Sequence, residues 1–311
     1  MLKQVIQIQE ILENPNVTGA DVQELFESYS SSTCEYETLL NEKGRTDIVR
    51  INISGESSQA PVLGIIGQLG GVGARPVMRG FVSDGDGAVA ALAAALKVAE
   101  MREHGEELPG DIYVATHICP RAPVIPHEPV PFMGSPIEVR EALNYMLKSR
   151  KIDAVLSIDT TKGNRLINAR GFAISPTVLS GYILRVSEDL LDIYERVVGM
   201  VPKVLPITTQ DITPYGNGIY HINSIMQPCT VLKDIPVVGV ALTTEVPVAG
   251  CATGASHEVD VELAARFAVE VAKYFGSGGV KFYNKKEFDL LHSLYGNLMH
   301  LVTPKEGMRD E

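Results

Sequence analysis

The sequence predicts an α/β protein: a three-layer α/β/α sandwich around a largely parallel, mixed central sheet. Three observations predict it. Short apolar runs of strand length recur at 62–66, 111–116, 154–158 and 237–242. Helix-period segments stand between them, and strands alternating with helices build a sheet covered on both faces. The run at 62–66 is continuously apolar rather than alternating, as burial on both faces requires. A chain of 311 residues is at the upper end of one α/β domain, and no repeat, low-complexity run or linker divides it. The expectation is a single domain over 1–311, with no separate lid.

Taken in order, residues 2–12 carry Val5, Ile6, Ile8, Ile11 and Leu12 at helical spacing and stop at Asn14-Pro15. Thr18 with Asp21 starts a second short helix bearing Val22, Leu25 and Phe26. Strands are predicted at 36–40 and 47–54, joined by the turn Asn41-Glu-Lys-Gly44. After the strand at 62–66, an Ala-rich stretch over 87–102 reads as a buried core helix, too short for a membrane span. The strand at 111–116 leads into a proline-rich loop. Ser135-Pro-Ile-Glu138 then opens a helix reaching about residue 150, with an N-cap Ser and Pro at the first position. Further strands are predicted at 171–174 and 201–205. Helices are predicted at 188–198, at 260–275 capped by Gly276, and at 286–301.

Composition narrows the function. The net charge is -11, tryptophan is absent and no basic patch occurs, which argues against nucleic acid and against anionic membranes. The amphipathic start MLKQVIQIQEILENPN is not a secretory signal. Cys34, Cys119, Cys229 and Cys251 stand far apart without a CxxC pair, as reduced cytoplasmic thiols do.

Ligands in such sheets gather beyond the carboxyl ends of the strands. Asp159 closes the strand Ala154-Val-Leu-Ser-Ile-Asp159, where the backbone would hold a metal-binding carboxylate rigidly; equally, it would cap the turn Thr160-Thr-Lys-Gly163. Asp84 and Asp86 lie in Ser83-Asp-Gly-Asp-Gly87 at the start of the Ala-rich helix. Capping alone would explain an Asp there, but two carboxylates between glycines also suit a loop around a small ion. His257 follows a loop of small residues, 249–255, and is a fourth metal candidate. His117 and Cys119 offer borderline or soft donors, or a thiol nucleophile with an imidazole base. Glu245 and Glu128 are acids that could enter from loops. Gln68, Arg75 and Arg165 are the binding candidates. The segment Gly67-Gln-Leu-Gly-Gly-Val-Gly73 lacks GxGxxG spacing, and Arg75-Pro76 interrupts the helix that a pyrophosphate site needs, so no nucleotide is expected; Arg75 or Arg79 would pair a smaller anion.

The order of these pieces resembles the co-catalytic metallo-exopeptidases, the leucyl- and glutamyl-aminopeptidase types and related deacylases. Ser83-Asp84-Gly-Asp-Gly87-Ala resembles their bridging-ligand segment, Val155-Leu-Ser-Ile-Asp159 their next metal-binding Asp, and His257-Glu258-Val-Asp260 their terminal His segment, preceded by the strand in Asp234-Ile-Pro-Val-Val-Gly-Val240. The resemblance implies a divalent metal (zinc, manganese or cobalt), a peptide or small-molecule ligand and a homo-oligomer. For that assembly the apolar loop residues Val124, Ile125, Val130, Phe132 and Met133 offer an interface, unless they cover the core.

Two departures stand against it. The first ligand His of the family falls on Gln68, and the Glu-Glu pair, which includes the general base, falls near Cys119-Pro120. The whole chain also resembles a bacterial family known as domain of unknown function 1177, a name that implies no activity. The readings are a metal-dependent hydrolase of a small peptide, amide or amino-acid derivative with an atypical site, or a non-hydrolytic relative binding an amino-acid-like ligand. Behind them stands a different chemistry resting on Cys119 or His257.

Overall fold

The computed structural model describes residues 1–68, 81–126, 132–147, 149–247 and 255–303. Helix α1 (Leu2–Leu12) buries Val5, Ile8 and Leu12 on one stripe, and α2 (Gly19–Glu27) buries Val22 and Phe26. Asp21 accepts hydrogen bonds from the Thr18 N–H and hydroxyl at 2.7 and 2.8 Å, which fixes the start of α2. Strands β1 (Ser32–Asn41) and β2 (Gly44–Ile53) form the antiparallel hairpin, with Asn41 Oδ1 accepting from the Lys43 and Gly44 N–H groups across its turn.

From β3 (Leu63–Gly67) onward the chain alternates. A 3-10 turn, Ser83–Gly85, leads into α3 (Asp86–Glu103); β4 (Ile112–Ile118), the short pair β5 (Val124–Ile125) and β6 (Phe132–Met133), and α4 (Val139–Leu147) follow. Next come β7 (Ala154–Thr160), β8 (Gly171–Ile174), β9 (Val178–Leu179), β10 (Tyr182–Ile183) and α5 (Glu188–Val198). The chain continues through α6 (Pro228–Val231), β11 (Val237–Thr243), α7 (Glu258–Phe275), α8 (Lys285–Tyr295) and α9 (Met299–Val302).

The sheet runs β1-β2-β4-β3-β7-β11-β9-β10, with β8 also paired to β11. Its centre, β4-β3-β7-β11, is parallel, and the flanking strands are antiparallel. Alternation divides the strand residues between two cores. Ile65, Leu156, Ile158 and Val240 face α1, α3, α5 and α7. Ile66, Val155 and Ala241 face α4 and α6. The expected mixed, three-layer α/β architecture is therefore present. Among the described residues, no helix is long and apolar enough to cross a membrane.

Several boundaries differ from expectation. Ser135 does not open the helix directly: its hydroxyl accepts from the Ile137 N–H at 3.2 Å, closing a turn, and α4 starts at Val139. The strand expected at 201–205 is reduced to a bridge between Ile174 and Val204, because Pro202 and Pro206 carry no N–H for a ladder. The helix expected over 286–301 is split between α8 and α9 by Gly296, whose φ of 71° ends α8. Gly276 ends α7 without a left-handed turn. A Cβ there would collide with Gly110, so close packing explains it.

The Ala-rich α3 is buried on nearly all sides, as predicted, because small side chains let it lie between the sheet, α1 and α7. Its start is pressed onto the strand ends. A Cβ on Gly87 would meet the Ile158 carbonyl oxygen at 2.6 Å and the Gln68 carbonyl oxygen at 2.9 Å; one on Gly67 would meet the Gly87 carbonyl oxygen at 2.7 Å. Helix propensity favours alanine over glycine by about 1 kcal/mol, but overpacking against backbone costs about 1–3 kcal/mol. Gly87→Ala is expected to destabilise the protein by about 1–2 kcal/mol net, read as a lower denaturant midpoint. An unchanged or higher midpoint would show that the helix start has room to move.

Candidate functional site

The four parallel strands end on one edge, and the polar residues at that edge fall into two groups on opposite faces of the sheet. On the α6 side, β7 presents Ser157 and Asp159. The Gln68 side chain, just beyond β3, donates to the Ser157 hydroxyl at 3.3 Å, and that hydroxyl donates to the Ile225 carbonyl at 2.7 Å. Asp159 is fully buried. Its carboxylate accepts from the Thr160 N–H at 2.7 Å and the Ser224 hydroxyl at 2.8 Å. Burial pushes its pKa up to about 7 against the pull of those two bonds. Among the described residues no basic side chain pairs with it. Tyr215, also hydrogen-bonded to Ser224, is pushed up by burial.

On the α3 side, Asp86 is the first residue of α3 and is fully buried. The ammonium of Lys162, in the turn after β7, is 2.5 Å from Asp86 Oδ2 and is itself wholly enclosed. Ser256 donates to the other Asp86 oxygen. Lys162 Nζ also lies 3.3 Å from His257 Nδ1 and 3.5 Å from the Ala255 carbonyl oxygen. Burial raises the Asp86 pKa and the Lys162 charge opposes that rise; the short contact is that of an ion pair. Asp84 is buried in the turn before α3, and this turn is tied to β7 by the Thr160 hydroxyl, which donates to the Ser83 carbonyl at 2.6 Å.

The donors at this edge differ in how well they suit a divalent ion. Asp86 with His257 fits poorly, because an ammonium already satisfies that carboxylate. Asp159 fits: a buried carboxylate with no counter-charge among the described residues is stabilised by a cation. Among the described residues, no group of three or more His, Cys, Asp or Glu side chains converges as a complete ligand set.

The remaining candidates are dispersed. His117, in β4, meets the Thr46 hydroxyl through Nδ1 at 3.3 Å, while the Cys119 thiol donates to the Arg45 carbonyl at 3.3 Å. Burial lowers the His117 pKa to about 4 and raises that of Cys119 to about 11. A neutral thiol and a neutral imidazole with separate partners are not an activated pair. Glu245 and Arg165 are exposed on loops. Arg75, Arg79, Glu128, Val130, Cys251 and most of the loop 249–255 lie outside the described residues. Two cavities, of about 390 Å³ beside Phe288 and His292 and about 260 Å³ beside Tyr113 and Arg150, include none of the candidates.

Sequence reasoning missed Lys162, Ser224 and Tyr215. Lys162 sits in what reads as an ordinary solvated turn, and lysine is almost never fully buried unless paired. Its partner, Asp86, is 76 positions away, so no local signal marks it.

The model of the family described as "Protein of unknown function (DUF1177)" matches residues 37–305. The chain belongs to that family. None of the curated proteins matches this DUF1177 member. Among solved structures, it is similar to a mutant tomato leucine aminopeptidase, at 12% identity and a TM-score of 0.54, covering 86% of this chain and 61% of that one. The apo leucyl aminopeptidase of Trypanosoma cruzi is similar at 12% identity and a TM-score of 0.52, with 86% and 62% covered. For the aminopeptidase LapA of Legionella pneumophila the values are 14%, 0.50, 88% and 71%. This DUF1177 chain thus spans about three fifths of the first two relatives and has an aminopeptidase-like fold.

His117 gives a pH dependence with a definite sign. Its folded value of about 4 lies below the ordinary 6.5, so the unfolded chain binds more protons between those values. Stability should fall as pH drops through that window, by on the order of 2–3 kcal/mol from this group. His117→Gln should flatten that part of the acid limb, read from denaturant midpoints at neutral and acid pH. An unchanged limb would mean that His117 takes up its proton without unfolding.

Proposed function

We propose that this DUF1177 protein acts on a small peptide, amide or amino-acid derivative at the carboxyl edge of its sheet. Asp159 would hold one divalent ion (zinc, manganese or cobalt), with Gln68 on its own face of the sheet and Asp84 reaching over the strand end from the turn that Thr160 ties to β7. The observation that carries this reading is Asp159, a fully buried carboxylate at a strand end, with two hydrogen bonds and no basic partner among the described residues. A divalent ion supplies Lewis acidity and lowers the pKa of bound water. The chain's own contribution is positioning. Thr160 and Ser224 fix both oxygens of Asp159, and Ser157, anchored on Ile225, fixes the Gln68 amide. The similarity to aminopeptidases supports the substrate class through fold alone. A cytoplasmic homo-oligomer belongs to the same reading, and Cys34, Cys119 and Cys229 are free thiols.

A second reading, binding of an amino-acid-like ligand without hydrolysis, is favoured by Lys162. Its ammonium already satisfies the second aspartate of the edge, so a two-ion centre sharing Asp86 is unfavourable.

Metal content decides between them. Elemental mass spectrometry of the purified protein should find one zinc, manganese or cobalt ion per chain, removed by chelator and absent from Asp159→Asn. Uptake that is the same in Asp159→Asn would reject the assignment. A chain that stays metal-free after incubation, yet melts higher with amino acids or dipeptides, would establish the second reading.

A further inference from the structure

Lys162 is surrounded as a bound cation would be. Its ammonium has three N–H donors, and three acceptors of different kinds face it: a carboxylate oxygen of Asp86 at 2.5 Å, the Nδ1 of His257 at 3.3 Å and the carbonyl oxygen of Ala255 at 3.5 Å. Nδ1 accepts in the tautomer that carries its proton on Nε2. Carboxylate, imidazole and carbonyl are also the donor classes that bind divalent cations. The second Asp86 oxygen is taken by the Ser256 hydroxyl, as outer-shell bonds orient a ligand carboxylate. Asp260 adds negative potential: Arg170, His257 and Lys162 act on it, and among the described residues its Oδ1, buried without a hydrogen bond, has only the exposed Arg170 at 3.8 Å.

Three separate elements supply these atoms. Asp86 begins α3, Lys162 follows β7, and Ser256 and His257 begin α7. Removing the ammonium would leave a fully buried carboxylate facing an imidazole lone pair and a carbonyl oxygen, an arrangement with strong affinity for positive charge.

We propose that Lys162 is a tethered cation filling a cation site built from Asp86, His257 and the Ala255 carbonyl, and that without this side chain the site takes up zinc or a small alkylammonium ion. This involves different residues from the Asp84–Asp159 assignment and does not depend on it. The lysine serves as a covalently retained counter-ion, so this part of the molecule needs no ion from solution.

The test uses the full chain. Lys162→Ala is prepared with and without Asp159→Asn, and zinc and methylammonium are titrated by calorimetry and thermal melting. Lys162→Ala should bind one zinc per chain more than wild type and melt about 5 °C or more higher in excess zinc. Methylammonium, the cation the truncation removes, should also raise its melting temperature. Both effects should persist with Asp159→Asn, which separates them from any ion at Asp159, and vanish in Asp86→Asn/Lys162→Ala. The neutral pair Asp86→Asn/Lys162→Met is the folding control, since it leaves no unpaired buried charge.

Three results would overturn the proposal. Lys162→Ala folds but gains neither zinc nor methylammonium dependence; its gain survives Asp86→Asn; or it fails to fold with either cation while the neutral pair folds.

Discussion

Gly67 and Gly87 bring the end of a strand and the start of a helix so close that one methyl group would separate them, and the polar edge of the sheet is assembled around this contact. Because the first turn of α3 rests on the Ile158 and Gln68 carbonyls, Asp84 and Asp86 enter the protein over the ends of β3 and β7 instead of projecting into solvent. The Thr160 hydroxyl, bonded to the Ser83 carbonyl, holds the turn from the other side. The run of alanines behind Gly87 serves the same purpose: a helix enclosed by the sheet, α1 and α7 has room only for small side chains.

Burial confronts Asp86 and Asp159 with the same electrostatic cost, and the fold answers it in two ways. Asp86 receives a full counter-charge from Lys162 and a hydroxyl from Ser256. Among the described residues Asp159 receives only dipoles, from Thr160 and Ser224, which offset part of the desolvation and leave its pKa near 7. A charge paired inside the protein is satisfied, whereas one held by dipoles alone retains attraction for a cation or a proton. This contrast sets the two aspartates of one edge apart electrostatically.

The architecture was legible in the sequence because its signals are local. Apolar runs, the Thr18–Asp21 cap, the Asn41–Gly44 turn and the Ala-rich helix all reflect near-neighbour chemistry, and each is in place. The aspartates were legible because strand ends and helix starts are recognisable positions. Reading 286–301 as one helix underweighted Gly296, and reading 201–205 as a strand underweighted two prolines. What escaped was non-local. Nothing in Thr160-Thr-Lys-Gly163 indicates that its lysine is enclosed, since the carboxylate that makes this tolerable belongs to another element. Likewise, the separate partners of His117 and Cys119 follow from β2 lying beside β4, which two residues in one strand cannot reveal.

The bond between Ser256 and Asp86 joins chain positions 170 apart, and Lys162 lies between them in sequence. Closing so long a loop is entropically costly and is repaid only once the intervening strands have paired. The shell of Lys162 is therefore complete only when the start of α3, the turn after β7 and the start of α7 are all in place. Burial of this lysine is thus a property of the tertiary fold, and any change that separates one of the three elements returns the ammonium to water.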